Sequence, residues 1–197
     1  MNSFGIIILA AGSSSRLGQP KQLLSYQHKT LLDHTIEAAR KAAKERVVVI
    51  LGENYQLIKE HIYSTGVKIV YNPGWQEGIS SAIRTGLSAI RKENPELEQV
   101  ILAVCDQPFL TDLIFEKLIT KATTSGKGIV ASTYAQTLGT PVLFGKAYFD
   151  DLAALKGKEG AKTLLGKYQD DITAIPFENG EIDIDTPDDY RKLIHKT

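Results

Sequence analysis

The sequence predicts an α/β protein in which helices cover both faces of a mostly parallel sheet. Short apolar runs rich in β-branched residues alternate with longer segments whose apolar residues recur at helical spacing. This alternation is typical of parallel sheets covered by helices. A chain of 197 residues buries roughly 70% of its unfolded surface as one domain. No segment rich in Pro, Gly or Ser divides it, so we expect a single domain over residues 1–197.

The first two-thirds of the chain follow this alternation most regularly. Its five apolar runs are predicted to be buried strands, at residues 4–10, 46–51, 67–71, 100–104 and 128–132. The segments between them are predicted to be helices, at residues 31–44, 55–63, 79–92 and 113–124. The later part predicts strands at 141–144 and 172–176, and helices near 147–155, near 161–168 and after Pro187.

Composition excludes several functional classes. Lys and Arg total 23, as do Asp and Glu, so no global charge favours a nucleic-acid or membrane partner. Any anion binding must be local. The single cysteine, Cys105, rules out an internal disulfide and is typical of a reducing compartment. The apolar run 6–11 is too short for a signal sequence or a membrane span. We therefore expect an untargeted, cytoplasmic protein.

The loop after the first predicted strand has the residues of a phosphate site. In open α/β sheets, ligands bind at the carboxyl ends of the strands. Gly12, Gly18 and three serines let backbone N–H groups approach phosphate oxygens. Arg16 and Lys21 add positive charge. The alternative is a flexible surface turn, which the interleaving of cations with small residues makes the weaker interpretation.

Two better-known phosphate loops do not match this segment. In a Walker A loop the glycines are five positions apart and Lys follows, whereas Gly12 and Gly18 are six apart and Gln19 follows. The dinucleotide fingerprint requires a second glycine where this chain has Ser14.

Asp106 follows the fourth predicted strand, in the segment CDQP at 105–108. Magnesium is usually bound by one or two carboxylates together with substrate phosphates, so it is the metal that a triphosphate site predicts. The alternative is that Asp106 caps the next helix, but Thr111 and Asp112 lie closer to its start. Cys105 is expected to be a small buried residue without a catalytic role.

Near the end of the chain, Asp183 and Asp185 alternate with isoleucines. In a short strand the two carboxylates would share one face, and like charges at close range favour a cation between them. A shared metal site is therefore predicted. The alternative is a solvated acidic edge followed by an N-cap at Thr186, with Pro187 at the first helical position. The two interpretations are compatible.

The segment 72–81, NPGWQEGISS, follows the third predicted strand and leads into a helix. Its glycines and serines can present backbone and hydroxyl groups to a base and ribose beside the helix N-terminus. The alternative is a structural segment in which Trp75 is a packed aromatic residue.

Four motifs occur in the order of a known family. They are LAAGSSSRLGQPK at 9–21, NPGWQEGISSAIRTG at 72–86, CDQP at 105–108 and DIDTPDD at 183–189. On these motifs the chain resembles the molybdenum cofactor cytidylyltransferases, which are part of the MobA-like nucleotidyltransferase superfamily. The resemblance extends from residue 6 to residue 190. It implies a Rossmann-like, three-layer α/β/α fold, the nucleotide-diphospho-sugar transferase fold.

The resemblance also implies roles for particular residues. Those implied to bind the nucleotide are Leu9, Ala10, Ala11, Gly12, Arg16, Lys21, Gly78, Ser80 and Ser81. Those implied to bind magnesium are Asp106, Asp183 and Asp185. Arg16, Lys21 and Asp106 are the implied catalytic residues. Ala11 matches the LAAG of cytidylyl members where guanylyl members have LAGG, which favours CTP.

The implied reaction is magnesium-dependent transfer of CMP from CTP to molybdopterin, with release of pyrophosphate. A molybdoenzyme would then receive the cofactor. One alternative keeps nucleotidyl transfer from CTP, GTP or UTP but uses another phosphorylated acceptor, such as a sugar, an alditol or phospholactate. Another is a nucleotide-binding chaperone that delivers cofactor. The chain departs from the family at Thr140 and Lys158, where G-H-P and G-D-x-G-A-R are usual, and both segments are expected to face the acceptor.

Overall fold

The computed structural model describes residues 3–195. The strands are β1 (Phe4–Ala10), β2 (Ser25–Tyr26), β3 (Lys29–Thr30), β4 (Val47–Leu51), β5 (Lys68–Tyr71), β6 (Gln99–Val104), β7 (Ile129–Tyr134), β8 (Thr137–Gly145) and β9 (Ile172–Pro176). The helices are α1 (Leu31–Ala43), α2 (Tyr55–Ile62), α3 (Ile79–Glu93), α4 (Asp112–Ser125), α5 (Phe149–Ala154), α6 (Ala161–Lys167) and α7 (Pro187–His195).

Seven strands form the main sheet, in the order β5-β4-β1-β6-β8-β7-β9. β1 is parallel to both of its neighbours, β4 and β6. β8 alone runs antiparallel to its neighbours, β6 and β7. This arrangement confirms the predicted mostly parallel sheet.

Side chains of the central strand point alternately to two cores, as a period of two requires. Ile6, Ile8 and Ala10 of β1 join buried residues of α1, α2 and α4. Ile7 and Leu9 join buried residues of α3, α5 and α6 on the opposite face. Burying each large aliphatic side chain contributes roughly 1.5–3 kcal/mol, so both faces stabilise the sheet. The result is the predicted three-layer architecture.

Most predicted elements are confirmed within one or two residues, and the main differences are at two hairpins. The β2–β3 hairpin was not predicted, and β8 is longer than the predicted strand 141–144. Two-residue hairpin turns usually signal themselves through Asn-Gly or Asp-Gly, because both positions need positive φ. Here non-glycine pairs adopt positive φ instead. They are Gln27 and His28 in the first hairpin, and Ala135 and Gln136 in the second.

α7 begins as predicted, with a capping box at its N-terminus. The Asp189 N–H donates to the Thr186 hydroxyl, and the Asp189 carboxylate accepts from the Thr186 N–H. Leu193 of α7 and the preceding Ile184 pack against Leu24 of the first loop region. This small core holds the end of the chain beside the first loop. None of the helices within residues 3–195 has the length and apolar character needed to cross a membrane.

Candidate active site

The candidate site lies where the chain changes direction across the sheet. From β1 the chain first builds β4 and β5 on one side, and it then crosses to β6 on the other. Leu9 of β1 pairs with Val104 of β6, so the loops that follow these two strands open side by side. Such a switch point is where open α/β sheets bind ligands.

The first loop is held in shape by a buried glutamine. The Gln22 side-chain amide donates to the carbonyl oxygens of Ala10 (2.8 Å) and Gly12 (3.2 Å). The Lys21 N–H donates to the Ser14 hydroxyl at 3.0 Å. Gln22 could not be identified from the sequence, because a side-chain amide that bonds to backbone carbonyls requires no particular sequence motif. These bonds also occupy two carbonyl oxygens that would otherwise repel a phosphate.

Lys21 links two of the predicted carboxylates. Its ammonium bonds to Asp106 and, at 2.9 Å, to Asp185. Arg16 bonds to the other oxygen of Asp185 at 2.7 Å. The Lys21 and Asp106 side chains are only 15% and 16% exposed, so solvent screens their attraction weakly. Burial lowers the pKa of Lys21, but Asp106 and Asp185 outweigh it and raise that pKa above its ordinary value. Lys21 is therefore fully charged at neutral pH.

Asp183 completes the group without an ion pair to any residue within 3–195. Burial and the charges of Asp106 and Asp185 raise the pKa of its carboxyl group. Burial also acts to raise the pKa of Asp185, but Lys21 and Arg16 reverse the effect and lower it. The group thus contains three carboxylates and only two cations. Together with burial, the uncompensated negative charge raises the pKa of Asp183, which has no ion-pair partner within 3–195.

The segment 183–185 reaches this position without forming the predicted short strand. The Ile184 N–H donates to the Asp106 carbonyl at 3.0 Å, and the Ile184 side chain is fully buried. Asp183 and Asp185 therefore lie opposite Ile184 on one shared face, as the alternation predicted, and this face is the more exposed one. One backbone hydrogen bond replaces the strand pairing.

The carboxylates offer oxygen donors that suit a hard divalent cation. Within residues 3–195, however, no three His, Cys, Asp or Glu side chains are arranged to hold a metal ion. The Lys21 ammonium lies between Asp106 and Asp185 instead. Magnesium usually takes one or two carboxylates plus substrate phosphates, so the donor set fits a metal that arrives with a nucleotide.

A cavity of about 370 Å³ opens above this cluster. Its wall includes residues 9–13 of the first loop, Lys21, Trp75, Gly78 and Asp106. Trp75 both lines the cavity and packs against the α3 side of the sheet. The first loop, the Lys21 cation and the Asp106 carboxylate therefore surround one space, which has the size of a small-molecule site.

Cys105 lies at the same cavity but is 2% exposed. Burial raises the pKa of its thiol to about 12. This position agrees with the prediction of a small, buried cysteine without a catalytic role.

The two serines predicted to contact the nucleotide use their hydroxyl groups inside the protein. The Ser80 hydroxyl donates to the Gly157 carbonyl at 2.8 Å. The Ser81 hydroxyl lies 2.8 Å from the Gly78 carbonyl and accepts from the Asn72 amide. Both hydroxyl groups thus hold the loop in place. Direct nucleotide contact by Ser80 and Ser81 stays a prediction, and it would require these bonds to exchange.

A second cavity of about 550 Å³ shares Asp106 with the first. Thr140 and Lys158 both line it, as do Asp183 and Lys162. The two segments that were expected to face one ligand therefore do face one space. Gln107, which sequence reasoning also missed, lines this cavity too, and its amide donates to the Gly180 carbonyl at 2.7 Å.

Comparison with known proteins identifies close architectural relatives. Molybdenum cofactor cytidylyltransferase of Escherichia coli is 27% identical over 192 residues, covering 96% of this chain and 95% of that protein. Nicotine blue oxidoreductase of Paenarthrobacter nicotinovorans is 25% identical over 197 residues, covering 95% of each chain. Two different named activities occur at nearly equal identity, so overall identity does not decide the substrate.

Rv0371c of Mycobacterium tuberculosis superposes with a TM-score of 0.83 at 28% identity, over the full length of both chains. A second structure of Rv0371c, in complex with manganese, superposes with a TM-score of 0.82 at 25% identity, over 99% of this chain and 100% of that one. A nucleotidyl transferase from Methanothermobacter thermautotrophicus superposes with a TM-score of 0.81 at 18% identity, over the full length of both chains, which confirms the nucleotidyltransferase fold. Residues 6–172 also match the family described as the MobA-like NTP transferase domain. Because that match covers most of the chain, the protein belongs to the MobA-like NTP transferase domain family and is a nucleotidyltransferase.

Proposed function

We propose that the protein binds CTP in the first cavity and transfers its CMP group to a phosphorylated acceptor in the second, releasing pyrophosphate. The observation that carries the proposal is the ion-paired cluster of Arg16, Lys21, Asp106 and Asp185. Its member Asp106 lines both cavities. Molybdopterin is the proposed acceptor, because the Escherichia coli relative bears a molybdenum cofactor name at full-length coverage.

We propose that, when the nucleotide binds, Arg16 and Lys21 exchange their carboxylate partners for its phosphates. Without ligand, Arg16 and Lys21 neutralise Asp106 and Asp185. Phosphate oxygens form equally strong charge-assisted bonds with both cations. With both cations turned to a triphosphate, Asp106 and Asp185 would be free to hold magnesium, with Asp183 beside them. Magnesium supplies neutralisation of the phosphate charge in such a site.

The base preference rests on the first loop. Leu9, Ala10, Ala11 and Gly12 line the first cavity, and Ala11 is the residue that matches the cytidylyl motif. Gly78 and Trp75 lie across the cavity, where a base and ribose would lie. The match of Ala11 to the cytidylyl motif is what favours CTP over GTP and UTP.

The proposed reaction needs no nucleophile from the protein. An acceptor phosphate oxygen attacks the α-phosphorus, a new P–O bond forms, and the bond to the β-phosphate oxygen breaks with its electron pair leaving on pyrophosphate. The acceptor phosphate is already ionised at neutral pH, so no general base is required. The role of Arg16 and Lys21 is to position the phosphates and stabilise their charge.

The direct test follows transfer of the label from α-labelled CTP, GTP and UTP to the acceptor, together with release of unlabelled pyrophosphate, with and without magnesium. Each nucleotide is offered with molybdopterin, with a sugar phosphate and with no acceptor. We expect release only with CTP, magnesium and molybdopterin together. Turnover with a sugar phosphate but not with molybdopterin would contradict the proposed acceptor and support the proposed nucleotidyl transfer.

Replacing Asp106 tests whether transfer depends on the carboxylate that is proposed to hold metal. Asp106→Asn keeps the shape of the side chain but removes a charge that holds Lys21 and is proposed to hold metal. We expect transfer to fall at least ~100-fold, the scale of losing one well-placed electrostatic group. Asp170→Asn changes an exposed aspartate outside both cavities and is the matched control. An unchanged rate in Asp106→Asn would contradict metal-dependent transfer through Asp106. Nucleotide binding without any transfer by the wild-type protein would favour the chaperone.

A further inference from the structure

Arg84 belongs to the motif at 72–86 but lines neither cavity. It lies on the second turn of α3, and its side chain is 31% exposed. Its Nη1 donates to the Leu155 carbonyl at 2.6 Å and to the Ser80 hydroxyl at 3.1 Å. Its Nη2 donates to the Glu77 carboxylate at 2.6 Å. One side chain therefore holds three points of the chain together.

The segments that Arg84 joins belong to the walls of different cavities. Glu77 directly precedes Gly78, which lines the first cavity. Leu155 begins the loop 155–160, whose last residues line the second cavity. The guanidinium thus connects the wall of the cavity proposed for the nucleotide to the wall of the cavity proposed for the acceptor.

The two walls also touch each other directly. The Gly157 carbonyl accepts a hydrogen bond from the Ser80 hydroxyl at 2.8 Å. A Cβ atom at Gly78 would lie 2.4 Å from the same carbonyl oxygen, which is too close for any side chain. Ile79 lies at this contact and lines both cavities. A shift of one wall would therefore move the other.

This set of bonds requires the shape of a guanidinium. The group is planar and carries its N–H donors in a rigid fork, so its two terminal nitrogens can bond to acceptors in different directions. Glutamine is shorter and has a single amide nitrogen, so it cannot bond to Leu155 and Glu77 as Arg84 does. Replacing Arg84 by Gln therefore disconnects the two walls at this point.

We propose that Arg84 is a positioning residue for nucleotidyl transfer, which fixes the wall of the nucleotide cavity relative to the wall of the acceptor cavity. This inference rests on the proposed function, since it assumes that the two substrates bind in these two cavities. A misplacement of about 1 Å between reacting groups can cost roughly 100-fold in rate. Arg84 lines neither cavity, so its loss should slow transfer and leave CTP binding nearly unchanged.

Steady-state kinetics of Arg84→Gln test this role. Transfer of label from α-labelled CTP to molybdopterin is measured with magnesium, and kcat and KM are determined separately. We expect kcat to fall roughly 10- to 100-fold. We expect KM for CTP to change less than about threefold, because no group that binds the nucleotide is removed.

Arg40→Gln is the matched control. Arg40 also donates to a backbone carbonyl, that of Thr65, but it lies on the exposed surface of α1 outside both cavities. The variant loses the same charge and the same kind of bond, and its kcat should be unchanged. Thermal unfolding of both variants verifies folding, and the kinetics are measured below the lower of the two unfolding temperatures.

Trp75 gives a second measurement that needs neither nucleotide nor acceptor. It is the only tryptophan of the chain, and it lies in the short turn Trp75–Glu77 that Arg84 holds through Glu77. Its fluorescence anisotropy reports motion of this turn on the nanosecond timescale. We expect lower anisotropy in Arg84→Gln than in the wild-type protein, and no change in Arg40→Gln.

Four results would each overturn the inference: an unchanged kcat in Arg84→Gln, a loss confined to KM for CTP, an equal loss of kcat in Arg40→Gln, or an unchanged anisotropy of Trp75. These results leave the proposed function standing as long as the wild-type protein transfers the label. Absence of transfer by the wild-type protein would instead overturn the proposed function and, with it, the role of Arg84 in transfer. The anisotropy would then still show whether Arg84 holds the wall of the first cavity.

Discussion

Lys21 is the residue on which the charge balance of the site depends. Its ammonium satisfies Asp106 and Asp185 together, and it lines the cavity proposed for the nucleotide. A side chain that neutralises carboxylates in the free protein and phosphates in the complex controls when the carboxylates become available. Metal affinity should therefore depend on where Lys21 points.

Replacing Lys21 by Met should uncouple metal binding from nucleotide binding. Without the ammonium, three carboxylates repel one another and attract a cation. We expect magnesium alone to raise the unfolding temperature of Lys21→Met, and to have little effect on the wild-type protein. Differential scanning calorimetry with and without magnesium measures this.

Lys29→Met is the control, because it removes a lysine that pairs with Glu37 on the exposed surface. An equal response to magnesium in Lys21→Met and Lys29→Met would show that the ammonium does not compete with a metal.

Cys105 should be chemically inert in the folded protein. Its thiol is buried and its pKa is raised to about 12, so almost no thiolate is present at neutral pH. We expect iodoacetamide at about pH 8 to leave the native protein unmodified and to alkylate it completely in urea, as read by intact mass. Rapid alkylation of the native protein would mean that the cavity exposes this residue.

Residues of the site differ in how well the sequence predicts them. Arg16, Lys21 and Asp106 could be singled out because charged side chains in the loops that follow buried strands have few structural uses, and the structure brings Lys21 and Asp106 into contact. Gln22 was not, because its role is to bond to backbone carbonyls and any position in the loop could have held it. The hydroxyl of Ser80 bonds to Gly157, 77 positions away, and no local pattern predicts such a partner.

At the scale of elements, two capping boxes of the same chemistry start helices in different places. Thr30 caps α1 with Asp33 as its partner, and Thr186 caps α7 with Asp189. Only Thr186 lies next to a carboxylate of the proposed site. Comparing variants of Thr30 and Thr186 therefore distinguishes an effect on stability from an effect on function.

We expect Thr30→Ala and Thr186→Ala each to lower the free energy of unfolding by about 1 kcal/mol, the usual cost of losing an N-cap. Urea unfolding measures this change. Only Thr186→Ala should also reduce nucleotidyl transfer, because the Asp189 carboxylate that holds the cap also lies within 3.4 Å of the Asp185 N–H. Equal loss of activity in both variants would indicate that stability alone is responsible.

Elements were predictable from the sequence where burial was complete and periodic. The run Phe4–Ala10 is buried at nearly every position, so its strand has no competing interpretation. The hairpins β2–β3 and β7–β8 were missed or shortened because Gln27, His28, Ala135 and Gln136 adopt positive φ without the glycine that usually marks such turns. Tertiary packing, rather than local preference, determines these turns.

At the scale of the whole molecule, the site joins parts of the chain that are distant in sequence. The loop after β1, the end of β6 and the segment before α7 meet through Lys21 and through the bond from Ile184 to Asp106. With a net charge of zero, attraction of a triphosphate depends on this local arrangement and not on a global field. A ligand bound here should therefore stabilise the fold as a unit.

Nucleotide and magnesium together should raise the unfolding temperature in one cooperative transition. A ligand at about 100 times its dissociation constant adds about 2.7 kcal/mol to the native state. For a chain of this size, each kcal/mol shifts the unfolding temperature by roughly 2–4 °C, so the expected rise is about 5–10 °C. We expect CTP with magnesium to give this rise, CTP with EDTA to give less, and GTP or UTP at equal concentration to give less than CTP. Asp106→Asn should lose the part that depends on magnesium. Equal shifts for all three nucleotides would contradict the preference for CTP, and two separate transitions would contradict a single domain.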